Sequence, residues 1–271
     1  MPSLLALATS SWFAAPPGVT QWVFVTALVT AAVVLGLGKS GFAGSIGIIA
    51  VPMTANVLPT DVAVGVLLPV LIVGDVFAAV AHWRSVGWQY LRWMILGSLP
   101  GVLVGLAILW WLGGAGVLTR VLNLVVGGLC LVIVGLQVWR MTGRTLPRIP
   151  PTANAGYGVG AASGVASTLA HSAGPIASIY LLEQQLDKAR LVATSCWFFL
   201  LLNCIKVPGY VGLGLINPAT LKTSAWMAVA VPVGGVIGLW LHKRIAEKPF
   251  QVVVYTGAAL AAARMIYKGL T

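Results

Sequence analysis

The sequence predicts an all-α integral membrane protein made of two inverted structural repeats, each a broken, re-entrant helical hairpin followed by three transmembrane helices. Three observations carry this reading. The 271 residues are 59% hydrophobic and only 8% charged. A soluble domain carries about a quarter charged residues, so this chain cannot cover itself in water. The segment Ser40-Gly41-Phe42-Ala43-Gly44-Ser45 returns 123 positions later as Ser163-Gly164-Val165-Ala166-Ser167-Thr168, and Pro52 and Pro175 keep that spacing. Matching interruptions in two halves of a membrane chain mark a central cavity between repeats. Finally, the basic loop residues sort onto one face only if both interrupted regions are hairpins.

A span needs about 20 apolar residues. Regions 61–81, 89–112 and 118–138 qualify in the first half, and 190–208, 219–240 and 250–267 in the second. Two further regions, 19–57 and 154–183, are apolar but broken by Gly, Ser, His and Pro. The second is too short for two complete crossings, so it is read as two half-length arms that enter and return on one face. Such a turn must be packed in protein or line a polar cavity. The organisation is an N-terminal extension (1–18), a first repeat (19–139), a basic cytoplasmic linker (140–153) and a second repeat (154–271). One face then receives Arg84, Arg92, Arg140, Arg144, Arg148, Lys188, Arg190, Lys243, Arg244 and Lys248, and the other keeps Arg120, Lys222 and Lys268. Basic loops mark the cytoplasmic side, which places both termini in the periplasm. Three crossings after each hairpin is an odd number, so the halves face opposite ways. Met1 to Ala15 lacks the basic leader of a signal peptide and is expected to be retained.

The net charge of +11 does not mean nucleic-acid binding, because the bases lie in short loops where they orient the chain in its bilayer. Cys130, Cys196 and Cys204 are odd in number and sit in apolar sequence; they are read as small core residues, not as a disulfide framework. Gly101 and Gly105 match Gly234 and Gly238 at a shift of 133, and such pairs let helices approach closely in lipid. Trp22, Trp83, Trp88, Trp110, Trp111, Trp139 and Trp240 fall near span ends, as interfacial anchors do.

Lys39 is the sharpest candidate for chemistry. A cation at a span centre costs roughly 2.5–3.5 kcal/mol, so it asks for a partner or an anionic ligand; the competing reading is that it snorkels to the interface. Gly38-Lys39-Ser40 resembles the end of a phosphate loop, but Val33 stands where that pattern needs Gly, and no strand precedes it. Ser40, Gly41 and Ser45 flank Lys39 in the first interruption. In the second half, Ser163, Gly164, Ser167, Thr168, His171, Ser172 and Gly174 offer hydroxyls, an imidazole and, at Pro175, a helix start whose free amides attract anions. His171 can donate to an oxyanion or carry a proton, or simply bond a nearby carbonyl. Asp75, the acid inside a full span, is a second proton-coupling candidate or a structural hydrogen-bond partner. Asn203 and Lys206 are placed at the cavity, with snorkelling the alternative for Lys206. Three scattered His without paired acids or thiols give no metal site, and no cofactor is expected.

Several of these motifs together resemble the TauE/SafE sulfite exporter family. Gly38-Lys39-Ser40-Gly41-Phe42 with Ile48-Ile49-Ala50-Val51-Pro52 looks like its first signature. Ser167 through Pro175, followed by Tyr180-Leu181-Leu182, resembles its second, and Thr194-Ser195, Phe198-Phe199, Asn203 and Lys206-Val207-Pro208-Gly209-Tyr210 continue it. The resemblance spans roughly 30–268. It departs at Gly44-Ser45-Ile46-Gly47, where many members carry a run of glycines. It implies a carrier of the bacterial inner membrane that exports sulfite or a related sulfur oxyanion or sulfonate, with a coupling proton and a homodimer as further candidates. Two other classes stand beside it: an intramembrane transferase using Ser172 and His171, and a membrane scaffold without transport.

Overall fold

The computed structural model describes residues 19–39, 49–114, 117–141, 149–244 and 247–271. Among the described residues the regular structure is helical, with no strand. The first half contributes α1 (Gln21–Lys39), α2 (Ala50–Ala55), α3 (Thr60–Ala81), α4 (Trp88–Gly114) and α5 (Leu118–Met141). The second contributes α6 (Ala153–Ala170), α7 (Ala173–Glu183), α8 (Lys188–Gly212), α9 (Pro218–Arg244) and α10 (Glu247–Leu270). Every predicted span lies on one of these helices. By length and composition, α1, α3, α4, α5, α8 and α9 can each cross a membrane. The chain is a multi-pass membrane protein.

Both broken regions do return on themselves. Met53, Asn56 and Val57, at and beyond the end of α2, line one pocket with Val19, Thr20 and Val23 at the start of α1. Gln184, just past α7, donates to the Ile149 carbonyl ahead of α6 at 3.4 Å. The arms, however, are not two equal halves. Helix α1 has 19 residues, about 28 Å at 1.5 Å per residue, because nothing in its apolar sequence stops it. Helix α6 has 18 residues and α7 only 11.

The position of the second break also differs from the sequence reading. Ser163 to Thr168 lie inside the continuous helix α6. Their small side chains are there for packing: a β-carbon on Gly164 would stand 2.6 Å from the Ser98 carbonyl of α4, and the Thr168 hydroxyl folds back onto the Gly164 carbonyl at 2.8 Å. Small residues that bring backbones together stabilise a helix pair in lipid without interrupting either member. The interruption itself comes three residues later, at His171 and Ser172.

The halves are held by contacts that cross between them. Helix α4 lies along α6, α1 along α9, α5 along α10, and α3 against α8. Exchanging the two halves turns this set of pairs into itself. The predicted glycine approaches are present at both seams: an added β-carbon would meet the Ala161 carbonyl at 2.1 Å from Gly101, and the Val33 carbonyl at 2.3 Å from Gly234. All seven tryptophans expected at span ends are at least half exposed, as membrane anchors must be. Cys204 is exposed, which corrects its assignment to the core; a small apolar thiol facing lipid loses little.

Candidate functional site

The site is built on the break between α6 and α7. Proline lacks an N–H, and its ring clashes with the carbonyl four residues earlier. Pro175 therefore opposes a helix running through His171, and it is accommodated only in the first turn of a new one. Helix α6 accordingly ends with His171 in the left-handed region (φ 50, ψ 31), its amide reaching back to the carbonyls of Ala166 and Ser167. A side-chain-bearing residue held there costs of order 1–3 kcal/mol, and such residues gather at functional sites. Ser172 turns its hydroxyl onto the Ala170 carbonyl at 2.9 Å, and Gly174 lies in the first turn of α7.

Lys206 of α8 enters this break. It is wholly buried, 0% exposed, so the snorkelling alternative is excluded. Its ammonium donates to the Ser167 hydroxyl at 2.8 Å and to the Ser167 carbonyl at 3.2 Å. The third contact is His171 Nδ1, also at 3.2 Å. The far nitrogen of His171, Nε2, lies 2.9 Å from the Val64 carbonyl of α3. Tyr210 closes the floor: its hydroxyl donates to the Thr168 carbonyl at 2.7 Å, and its ring centre stands 5.9 Å from the ammonium.

Asn203, Lys206 and Tyr210 share one face of α8, because residues three and four apart are neighbours on a helix. Through Asn203 this face reaches a second buried group. The Asn203 amide donates to Asp75 of α3 at 2.7 Å, and Asp75 is itself 0% exposed. Three elements of the chain thus converge: α3, the tip of the second hairpin, and α8. Tyr210→Phe should remove one buried hydrogen bond and cost about 0.5–1.5 kcal/mol. That loss would appear as a lower Tm of the purified protein, with the α6 terminus more exposed to hydrogen exchange than in the native chain.

A family model described as sulfite exporter TauE/SafE matches residues 28–265, most of the chain and every residue of this cluster. The chain belongs to the TauE/SafE family. No curated protein and no solved structure matches it. Membership in this family of sulfite exporters, together with six crossing-length apolar helices, makes it a membrane transporter of a small anion at the level the family defines.

Within the TauE/SafE chain the sequence-selected residues separate into groups. Ser167 and His171 meet the buried ammonium of Lys206, and Asn203, one turn earlier on the same face of α8, bonds Asp75. Ser163 stands four residues before Ser167 on α6; its hydroxyl is buried with no hydrogen-bond partner. Gly164 and Thr168 are engaged in the α4–α6 contact. Ser172 and Gly174 lie at the break but outside the ammonium's bonds. Lys39 closes α1; its side chain, with Ser40, Gly41 and Ser45, falls outside the described residues. Sequence reasoning quoted Tyr210 within a family motif but gave it no role in the site, although its place four residues after Lys206 was visible. It missed Val64, which contributes only a backbone carbonyl and so leaves no side-chain signal.

Proposed function

We propose that this TauE/SafE protein is a secondary transporter that exports sulfite, or a related small sulfur oxyanion or organosulfonate, by alternating access around an anion site between its two repeats. One observation supports this above the rest: a completely buried ammonium, Lys206, bonds Ser167 and His171 where a helix is broken. An ionisable side chain buried inside a membrane protein marks a candidate substrate or ion pathway. In this reading Ser163, Ser167, His171 and Asn203 supply polar contacts, and Ser172 and Gly174 frame the α7 amide end. Lys39, Ser40, Gly41, Ser45, Gly164 and Thr168 are further candidate substrate-binding residues in this reading. The repeats are inverted, the linker 140–153 is cytoplasmic, and both termini are periplasmic in a bacterial inner membrane. A homodimer fits the same scheme.

The transferase alternative needs a nucleophile with a positioned base. The Ser172 hydroxyl instead donates to Ala170, while both His171 nitrogens face other groups. The transport reading is tested with purified protein in liposomes loaded with sulfite or a sulfonate. Flux above empty liposomes is expected, with a drop of about tenfold or more in Lys39→Ala, the loss of one charge-assisted contact. Normal flux in that variant removes Lys39 from the mechanism. Absence of flux, together with no thermal stabilisation by sulfite, thiosulfate, sulfate or small sulfonates, would leave the scaffold reading.

A further inference from the structure

We propose that the cavity between the starts of α4 and α8 is a lipid site for the headgroup of phosphatidylethanolamine, with separate groups of the protein meeting its phosphate and its ammonium. The cavity, of about 450 Å³, is lined by Trp88, Gln89 and Tyr90 of α4, by Gln184 and Asp187 between α7 and α8, and by Arg190. It shares no residue with the Lys206 cluster and is independent of the transport reading. Both α4 and α8 are of crossing length, so the place where they start lies at a membrane surface. Trp88 is 58% exposed there, as an interfacial anchor is. The molecules that fill this depth of a bilayer are phospholipid headgroups.

One part of the cavity favours an anion. The first amides of a helix have no partner within it, and the first bond of α4 runs from the Leu91 amide to the Gly87 carbonyl at 3.1 Å. The amides of Trp88, Gln89 and Tyr90 precede that bond, and Gly87 has no side chain to cap them. A capping serine or aspartate does not fit easily, since a β-carbon on Gly87 would stand 3.0 Å from the Thr194 hydroxyl. The Gly87 amide donates to that hydroxyl at 2.8 Å. Such an uncapped helix start attracts phosphate. Arg190 brings a guanidinium to the same cavity, and among the described residues no hydrogen bond or ion pair engages it.

The other part offers acceptors. Gln184 is 8% exposed. Its amide nitrogen donates to the Tyr180 carbonyl at 2.9 Å and the Ile149 carbonyl at 3.4 Å, while its Oε1 is buried without a partner. Asp187 accepts the Arg190 amide on Oδ1 at 2.9 Å, which leaves its second oxygen available. A carboxylate beside an unmet amide oxygen calls for a cationic donor. A bare phosphate or sulfate brings no such donor and is repelled by Asp187. The quaternary ammonium of phosphatidylcholine has the charge but no N–H. Phosphatidylethanolamine carries a phosphate and a primary ammonium on one short linker, and so answers both parts of the cavity.

The test is native mass spectrometry of the full chain in detergent, titrated separately with phosphatidylethanolamine, phosphatidylcholine and phosphatidylglycerol, with Tm measured in parallel. Phosphatidylethanolamine is expected to bind about tenfold more tightly than phosphatidylcholine, the loss of one charge-assisted contact, and to raise Tm. Asp187 and Arg190 are both exposed, so substitutions there leave the fold intact. Asp187→Asn keeps the α8 cap but removes the charge. It should weaken phosphatidylethanolamine by about tenfold and leave phosphatidylcholine unchanged. Arg190→Gln should weaken both lipids. Equal affinity for the two lipids in the native chain overturns the proposal, as does phosphatidylethanolamine binding that neither variant alters. A preference for phosphatidylglycerol that Arg190→Gln abolishes overturns it in favour of a site for anions alone. Soluble glycerophosphoethanolamine that stabilises the chain as well as the lipid does overturns the assignment to a membrane lipid.

Discussion

Lys206→Met is expected to leave a folded protein that has lost anion transport. The native ammonium sits fully buried among three acceptors, and a hydrogen bond to a charged group is worth about 1.5–3 kcal/mol. Losing one such bond to the bound anion weakens affinity by roughly 10- to 150-fold, and flux at subsaturating anion should fall in proportion. The substitution also leaves buried acceptors on Ser167 and His171 without this donor, at a cost of about 1–3 kcal/mol for each unsatisfied group, so flux is compared on monodisperse protein whose Tm is measured alongside. Methionine matches the length of the lysine stem, so the prediction separates site chemistry from scaffold damage. Lys206→Arg should not restore transport: the planar guanidinium is wider and presents its donors in a fixed fork, which does not fit acceptors arranged around a single nitrogen. Monodisperse Lys206→Met protein with native flux would remove this cluster from the substrate pathway.

Gly101→Leu is expected to be the most damaging substitution for stability. The first added carbon would stand 2.1 Å from the Ala161 carbonyl of α6. A backbone atom cannot rotate away as a side chain can, so α4 and α6 must separate. Overpacking of this kind costs about 1–3 kcal/mol, and here it opens the contact that also seats Gly164 and Thr168. Thermal unfolding in detergent should show Tm lowered by several degrees or a failure to purify as a single species. Gly128→Leu on α5 is the control, since a β-carbon there meets nothing within 4 Å; it should be tolerated, because leucine favours the helix over glycine by up to about 1 kcal/mol. Equal loss in both variants would mean that glycine content alone, and not the approach of α4 to α6, governs stability.

Much of the fold was legible because its signals are local. Apolar runs of crossing length, the Pro175 break and the glycine spacings on α4 and α9 each declare themselves within about 20 residues. The ends of both broken regions do meet, but of the paired interruptions the first, Ser40 to Ser45, lies outside the described residues and the second lies within a continuous helix. The pairing misplaced the second break by a few residues, because Gly and Ser in a membrane helix serve both as interruptions and as packing surfaces, and sequence does not say which. The site was less legible. His171, Ser167 and Lys206 could each be suspected, but not their mutual contact. The sequence also left open whether Lys206 points outward to the interface or inward to the hairpin.

By itself the sequence determined that this chain lives in a bilayer as helices, and its motifs placed it with a family of small-anion exporters. Composition suffices for the helices, since lipid leaves backbone groups few alternatives; the family rests on motif resemblance along the chain. The tertiary structure decided which polar groups share one buried space. Ser167 and Lys206 are 39 residues apart, and Asp75 and Asn203 are 128 apart. Such pairs meet only because α3 packs on α8 and the tip of the second hairpin inserts between them. That convergence is fixed by packing between the two halves, and no stretch of sequence read alone contains it.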